Sequence, residues 1–119
     1  ALSSAASDVY KRQHLDNLTV IFDHNGLQID GSNDQVMSLG DIGAKFAAFG
    51  YDIIEVKDGN DMQQVLDALH APACPGKPRL IWLHTLKGKG VSFMEGQVGW
   101  HGKAPNAEQC AQALKDLEG

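Results

Sequence analysis

Apolar positions along this chain fall into blocks of two kinds, short continuous runs and longer segments with helical spacing. The continuous runs are typical of strands buried on both faces of a sheet, and they predict strands at Leu18–Phe22, Tyr51–Val56 and Arg79–His84. The helical segments follow the first, second and third run in turn. Strands that alternate with helices favour an α/β fold with a parallel sheet, flanking helices and right-handed crossovers.

Capping residues mark where the helices begin and end. One helix is predicted over Asp41–Phe49, with Gly50 at its C-cap. Asn60 or Asp61 caps a second helix, and Asn106 caps a third. The apolar face of the second helix contains Met62, Val65, Leu66 and Leu69. That of the third helix contains Cys110, Ala113, Leu114 and Leu117.

Polar residues follow the first strand directly, in the order Asp23-His24-Asn25-Gly26. The carboxyl edge of a parallel sheet is where ligands bind in open α/β folds. Asn25 offers an amide oxygen that suits a hard cation such as Mg²⁺. Taken alone, however, Asn-Gly after a strand equally predicts a plain turn, because both residues tolerate a positive φ.

Two further motifs lie near the other end of the chain, in the same order as in a known family. They are T-L-K-G-K-G-V-S-F-M-E from Thr85 and W-H-G-K-A-P from Trp100. Together with D-H-N-G-L-Q-I-D-G from Asp23, they resemble transketolase in its thiamine diphosphate-binding domain. The resemblance is closest to the form of the enzyme that is split over two polypeptides. It covers residues 14–119, which are similar to the C-terminal part of that domain.

The resemblance implies roles for four residues. The Asn25 side chain and the Leu27 main-chain carbonyl would bind a divalent metal, Mg²⁺ or Ca²⁺, that bridges to the cofactor diphosphate. Ile29 would lie near the thiazolium ring. His101 would lie near cofactor and substrate as a cofactor-binding and catalytic residue, since an imidazole moves protons near neutral pH. The lysines of the Lys87–Gly90 loop are expected to take a modest share in binding.

The activity implied is transfer of a two-carbon ketol unit from a ketose phosphate to an aldose phosphate, as in the pentose phosphate pathway. In this family the glutamate that activates the cofactor comes from a pyrimidine-binding domain, which in split enzymes is the C-terminal transketolase subunit. The partners that the resemblance implies are therefore sugar phosphates and that C-terminal subunit, in a homodimer or heterotetramer.

One family motif is absent from this sequence. The Gly-Asp-Gly segment, whose aspartate is the remaining metal ligand, does not occur in the chain. We therefore expect a fragment that binds cofactor weakly and is inactive alone. Near the start of the chain, Asp8–Gln13 resembles a translated sequencing adapter, so that residues 1–13 are expected to be a non-native tail and 14–119 a partial domain.

Composition excludes several classes of protein. The net charge is −5 and the pI is near 5.4, so no basic surface is expected for nucleic acid or an anionic membrane. No apolar run is long enough for a membrane span, and the two cysteines form neither a metal pair nor a disulfide framework. A cytoplasmic location is the default expectation.

Two alternatives remain open at this point. The parent enzyme could be a deoxyxylulose-phosphate synthase or a 2-oxoacid dehydrogenase component, although the W-H-G-K-A-P stretch favours transketolase. The chain could instead be a free-standing, non-catalytic α/β binding domain. That second alternative predicts a complete sheet, a native start codon near Ala1 and a monomer that unfolds cooperatively.

Overall fold

A computed structural model describes residues 15–28 and 30–118 of the chain. These residues divide into two compact units, one made of residues 15–24 and 39–84, the other of residues 25–28, 30–38 and 85–118. The expected tail at residues 1–13 lies outside the described residues, and the boundary placed there stays a prediction. Among the described residues, no helix has both the length and the apolar character that crossing a membrane requires.

The first unit contains a parallel sheet of three strands, β1 (Thr19–His24), β4 (Asp52–Val56) and β5 (Arg79–His84). Their order is β1-β5-β4, so that β5 is the central strand. Thr19 lies beside Arg79 in the first ladder, and Asp52 lies beside the same Arg79 in the second. The predicted fold class, a parallel sheet with flanking helices, is therefore confirmed.

Two helices flank this sheet, and both begin where the sequence predicts. The helix α2 (Ile42–Ala48) is capped by Asp41, whose carboxylate accepts a hydrogen bond of 2.8 Å from the Ala44 N–H. The helix α3 (Met62–His70) is capped by Asp61, which accepts from the Gln63 N–H at 2.8 Å. After α2 the chain turns at Gly50 with φ of 87°, the left-handed conformation that favours glycine.

The apolar core of this unit consists of one cluster on each face of the sheet. Leu80 and Ile81 are the most deeply buried side chains, and as neighbours on one strand they point to opposite faces. Leu80 packs with Ile42 and Tyr51 on the α2 face, whereas Ile81 packs with Val56, Leu83 and Ala68 of α3 on the other.

Arg79 joins the start of the central strand to its neighbour and to the end of α3. Its guanidinium donates to the Asp52 carboxylate from two nitrogens, at 3.0 and 2.8 Å. It also donates to the Ala71 carbonyl at 2.7 Å and to the Pro72 carbonyl. The side chains of Arg79 and Asp52 are only 11% and 28% exposed, so this ion pair is partly desolvated.

Replacing Arg79 with methionine is expected to destabilise the chain by about 2–3 kcal/mol, because the Asp52 carboxylate and two carbonyls lose their donor. The matched control is Lys57→Met, which removes a lysine with a 77% exposed side chain from an ion pair with Glu55 and is expected to change stability by less than about 1 kcal/mol. Urea unfolding of both variants measures the difference. Equal losses would contradict the structural role given to Arg79.

The aromatic and imidazole side chains at the carboxyl end of the sheet pack on one another. The Trp82 indole N–H donates to His24 Nδ1 at 3.2 Å, and the ring centroids of Trp82 and His84 lie 4.7 Å apart. His84 Nε2 lies 2.8 Å from a Glu55 carboxylate oxygen. Hydrogen bonds lower the pKa of Glu55, with the larger contribution from Lys57 and the next from His84. His84 therefore packs against Trp82 and bonds to Glu55, and Trp82 gives His24 a structural partner that the sequence did not indicate.

The second unit contains a short antiparallel hairpin that the sequence analysis missed. Its strands are β2 (Leu27–Gln28) and β3 (Gly31–Ser32). One helical turn, α1 (Asn33–Val36), follows directly, and the helix α4 (Ala107–Glu118) ends the described chain. Asn106 caps α4 as predicted, since its side-chain oxygen accepts from the Gln109 N–H at 2.8 Å.

Candidate functional site

The candidate site lies within the second unit and begins at the Asn25-Gly26 turn. Gly26 has φ of 72°, a left-handed conformation that glycine adopts without steric cost, and the chain bends there before β2. The Gly26 carbonyl accepts a hydrogen bond of 2.9 Å from the Asn33 N–H, which closes the hairpin one residue before Leu27. The plain-turn interpretation of Asn-Gly is therefore correct as local geometry, and it is compatible with a binding role for Asn25.

The turn places two oxygen atoms on the same outer edge of the hairpin. Asn25 Oδ1 accepts a hydrogen bond of 3.0 Å from the Leu27 N–H. Because bonded and non-bonded pairs alternate along an antiparallel ladder, the Leu27–Ser32 pair next to the Gly26–Asn33 bond is a non-bonded one. The Leu27 N–H and carbonyl therefore both point away from β3, toward the side on which Asn25 Oδ1 lies.

The glycine-rich loop after β5 is closed by its own backbone. The Lys87 carbonyl accepts from the Gly96 N–H at 2.9 Å, and the Gly90 N–H donates to a Glu95 carboxylate oxygen at 2.9 Å. Gly88 has φ of 73°, and a Cβ atom there would lie 2.6 Å from the Met94 carbonyl oxygen. Only glycine fits such a close backbone approach, so the tight loop fixes where Lys87 lies.

The same loop is attached to α4 by one carboxylate. Asp116 accepts two hydrogen bonds from Ser92, at 2.8 Å from its backbone N–H and at 2.6 Å from its hydroxyl. Gln112 donates to the other carboxylate oxygen at 2.6 Å. The Ser92 hydroxyl contributes most to lowering the pKa of Asp116, followed by the Ser92 N–H and Gln112.

This attachment predicts a pH dependence of stability. A carboxyl group whose pKa is lowered in the folded state stabilises the fold above its unfolded pKa, here near 3.8, and that contribution is lost as pH falls through the lowered value. The difference in unfolding free energy between the chain and Asp116→Asn should therefore be constant near neutral pH and should shrink in acid. Urea titrations at a series of pH values measure it. A difference that stays constant down to the acid limit would contradict the assignment.

The W-H-G segment begins at Trp100, the last residue of a short 3-10 helix, Val98–Trp100, that follows the loop. The Trp100 indole N–H donates to the Phe93 carbonyl at 3.0 Å, and the two rings lie 5.3 Å apart. Lys103 covers the Trp100 ring, with Nζ 4.8 Å from its centroid. The His101 N–H donates to the Val98 carbonyl at 3.0 Å. The backbone of His101 is thus held, while its side chain is exposed.

These segments line a cavity of about 450 Å³ within the second unit. The cavity brings together predicted residues from the hairpin, from the glycine-rich loop and from the W-H-G segment: Asn25, Leu27, Lys87 and His101. Three further residues, Gln28, Asp30 and Val98, line it and were missed. Gln28 and Asp30 reach the cavity through the hairpin and Val98 through the 3-10 helix, and neither element was predicted from the sequence.

Two of the sequence predictions are not settled by this geometry. Ile29 lies outside the described residues, so its proposed place near the thiazolium ring stays a prediction. Among the described residues, no group of three or more His, Cys, Asp or Glu side chains is arranged to hold a metal ion. The metal ligands proposed for this chain are the Asn25 amide oxygen and the Leu27 main-chain carbonyl. These neutral oxygen atoms do not belong to side chains of His, Cys, Asp or Glu.

Comparison with known proteins decides the family. The profile of the transketolase thiamine diphosphate-binding domain matches residues 1–118. The chain belongs to this transketolase family. It is 40% identical over 116 residues to one apulose-4-phosphate transketolase subunit of Phocaeicola vulgatus, covering 97% of this chain and 40% of that protein. It is 32% identical over 118 residues to transketolase of Physarum polycephalum, covering 98% of this chain and 18% of that protein.

A solved transketolase structure shows the same fold. The transketolase of Pichia stipitis in complex with sedoheptulose-7-phosphate superposes with a TM-score of 0.86 at 30% identity, covering 98% of this chain and 17% of that chain. The present chain thus spans less than half the length of the transketolases it matches. All three of these proteins carry the name transketolase, which separates this chain from the deoxyxylulose-phosphate synthase and 2-oxoacid dehydrogenase alternatives.

Proposed function

We propose that the chain is part of a transketolase that transfers a two-carbon ketol unit from a ketose phosphate to an aldose phosphate, using thiamine diphosphate and Mg²⁺ or Ca²⁺. The observation that carries this proposal is the cavity in which Asn25, Leu27, Lys87 and His101 converge from three segments of the sequence. When bound, the cofactor supplies the carbanion chemistry that breaks and forms the carbon–carbon bond.

Asn25 and Leu27 fit the part of divalent-metal ligands. Asn25 Oδ1 has two lone pairs, of which one accepts the Leu27 N–H and the other remains for a cation. The Leu27 carbonyl points to the same side of the hairpin. Neutral oxygen donors suit Mg²⁺ and Ca²⁺ when phosphate oxygens complete the coordination shell. In this proposal the hydrogen bond from Leu27 keeps the Asn25 side chain in place before any ligand arrives.

Lys87 would add positive charge to the same cavity. Its side chain is half-buried, whereas that of Lys89 is exposed. An ammonium group in a partly enclosed cavity attracts phosphate oxygens more strongly than one in open solvent. Asp30 lines the cavity as well and limits the positive potential there, so the charge of a diphosphate would be balanced mainly by the metal together with Lys87.

His101 would act at the exposed rim of the cavity. Its backbone is held by Val98, and its exposed imidazole can donate a hydrogen bond to a phosphate oxygen or to a sugar hydroxyl. An imidazole in that place can also take or give a proton near neutral pH. We therefore assign His101 to cofactor binding and to proton movement at the substrate.

The complete active site would include a second polypeptide. The relative from Phocaeicola vulgatus is named as a transketolase subunit, which supports a partner subunit for the protein to which this chain belongs. The family's activating glutamate would come from that pyrimidine-binding partner, in a homodimeric or heterotetrameric assembly. Because the sequence contains no Gly-Asp-Gly segment, the chain alone is proposed to be inactive.

The test begins with the genomic DNA on both sides of the coding sequence, where a Gly-Asp-Gly codon run is expected one strand-helix crossover upstream of Asn25. The complete polypeptide and its partner are then expressed together and titrated with thiamine diphosphate and Mg²⁺, following tryptophan fluorescence. We expect saturable binding by the assembly that chelation of the metal abolishes, and none by this chain at micromolar concentration. Saturable binding by the chain alone would contradict its proposed inactivity, and an assembly that never binds the cofactor would overturn the function.

A further inference from the structure

The attachment of the glycine-rich loop to α4 uses a carboxylate for which the proposed function has no role. Asp116 lies near the C-terminal end of α4, and it binds a residue 24 positions earlier in the chain. Both donor groups of Ser92, the backbone N–H and the hydroxyl, bind the same carboxylate oxygen. Two hydrogen bonds from one residue fix the orientation of the loop relative to the helix as well as its distance.

A continuous series of contacts leads from this attachment to His101. Phe93 follows Ser92 directly, and its carbonyl accepts the Trp100 indole N–H at 3.0 Å. The Phe93 and Trp100 rings pack at 5.3 Å. Trp100 is the last residue of the 3-10 helix, and His101 is the next residue in the chain. Movement of Ser92 would therefore move the carbonyl that holds Trp100, and with it the backbone of His101.

We infer that Asp116 is a positioning residue for His101, acting through Ser92, Phe93 and Trp100. The inference rests on the proposed function in so far as it treats the position of His101 as catalytically important. The loop's own closure by Gly88, Lys87 and Gly96 sets its shape, whereas Asp116 sets how that shape is placed against α4. Because catalytic groups must be held within a fraction of an ångström, a loss of this attachment is expected to matter at His101.

The geometry also predicts which substitutions preserve the attachment. In Asp116→Asn the side-chain oxygen can still accept both Ser92 hydrogen bonds, because the amide of Gln112 can rotate to present its oxygen to the new NH₂ group. Asp116→Ala offers no acceptor. The matched control is Glu118→Ala, which removes an exposed carboxylate from the same helix. The series Asp116→Ala, Asp116→Asn and Glu118→Ala therefore separates the attachment from charge and from helix composition.

The readout is the set of imidazole ¹H–¹³C correlations of the whole chain, which has five histidines. We expect the His101 peak to shift in Asp116→Ala, to return toward its original position in Asp116→Asn, and to stay in place in Glu118→Ala. The peaks of His24, His70 and His84, which belong to the other unit, should stay in place throughout. An unchanged His101 peak in Asp116→Ala, or a peak displaced equally in Glu118→Ala, would overturn the inference.

A second variant decides the matter if Asp116→Ala fails to fold. Ser92→Ala removes only the hydroxyl donor and keeps the backbone N–H, so it is a milder change at the same attachment. We expect Ser92→Ala to shift the His101 peak and to leave the peaks of the other unit in place. An unshifted His101 peak in this variant would overturn the inference. Failure of the proposed function is recognised separately, since it appears as an assembly that does not bind thiamine diphosphate while the His101 peak still responds to Asp116.

In the assembled enzyme the same series gives a kinetic readout. A misplaced His101 is expected to lower kcat by roughly 10-fold in Asp116→Ala, with Asp116→Asn close to the parent enzyme. Glu118→Ala is expected to leave kcat unchanged. Equal kcat values for Asp116→Ala and Glu118→Ala would count against a positioning role.

Discussion

Replacing Asn25 with alanine is expected to weaken metal-dependent binding of thiamine diphosphate to the assembled enzyme by roughly 100-fold or more, because the substitution removes a proposed metal ligand outright. The Leu27 N–H also loses its acceptor at 3.0 Å, so the second proposed ligand is no longer held in place. Titration of each variant with the cofactor at fixed Mg²⁺, followed by tryptophan fluorescence, measures the loss.

The matched control for this experiment is Asn17→Ala, since Asn17 is an exposed asparagine that precedes β1 in the other unit. It should bind the cofactor as tightly as the parent enzyme. A second comparison varies the metal, because loss of a ligand raises the Mg²⁺ concentration at which cofactor binding is half-maximal. If the Asn25→Ala enzyme bound the cofactor as tightly as the parent enzyme, that result would contradict the metal site proposed at Asn25 and Leu27.

Replacing Gly88 with alanine is expected to destabilise the chain by about 3–5 kcal/mol, from a left-handed backbone that disfavours a side chain together with overpacking. The overpacking is against rigid atoms, since the new Cβ would lie 2.6 Å from the Met94 carbonyl oxygen and 2.8 Å from its carbon. Neither atom can move without opening the loop that holds Lys87. Urea unfolding at neutral pH measures the effect.

The chain offers a matched control at Gly96, a glycine of the same loop. Its φ of 65° is also left-handed, but nothing lies within 4 Å of the position that a Cβ would occupy. Gly96→Ala should therefore cost only about 1–2 kcal/mol for the backbone conformation. The difference between the two variants isolates the contact with Met94. If both alanines cost the same, the close approach at Gly88 is not a feature of the folded chain.

The sheet and its helices were predictable because their determinants are local. The strand predicted over Arg79–His84 agrees with β5, and the other two strands differ from β1 and β4 by at most two residues at either end. Asp41, the first residue of the predicted helix Asp41–Phe49, caps α2, and Asp61, one of the two predicted caps, caps α3. Continuous apolar runs and capping residues specify such elements within a few positions of the chain, without reference to distant partners.

The site was predictable only in part, and chiefly from the resemblance. The convergence of Asn25, Leu27 and His101 on one cavity was expected, because the family's motifs occurred in order. The β2–β3 hairpin was missed, since strands of two residues have no periodicity to read. The Asp116–Ser92 attachment was missed for another reason. An aspartate on the polar face of a helix resembles any solvated carboxylate until its distant partner is known.

The strand order has a consequence for how the protein is made. β5 is the central strand, yet it is the last of the three to be synthesised. While a ribosome is still translating residues before Arg79, β1 and β4 lack β5, the strand with which both of them pair, and the apolar side chains that face it remain open to other molecules. A nascent chain that stalls in the proline-rich segment before β5 lacks the strand that joins β1 to β4. Synonymous codon choice across that segment is therefore expected to change the yield of folded protein, since it sets how long β1 and β4 remain without β5.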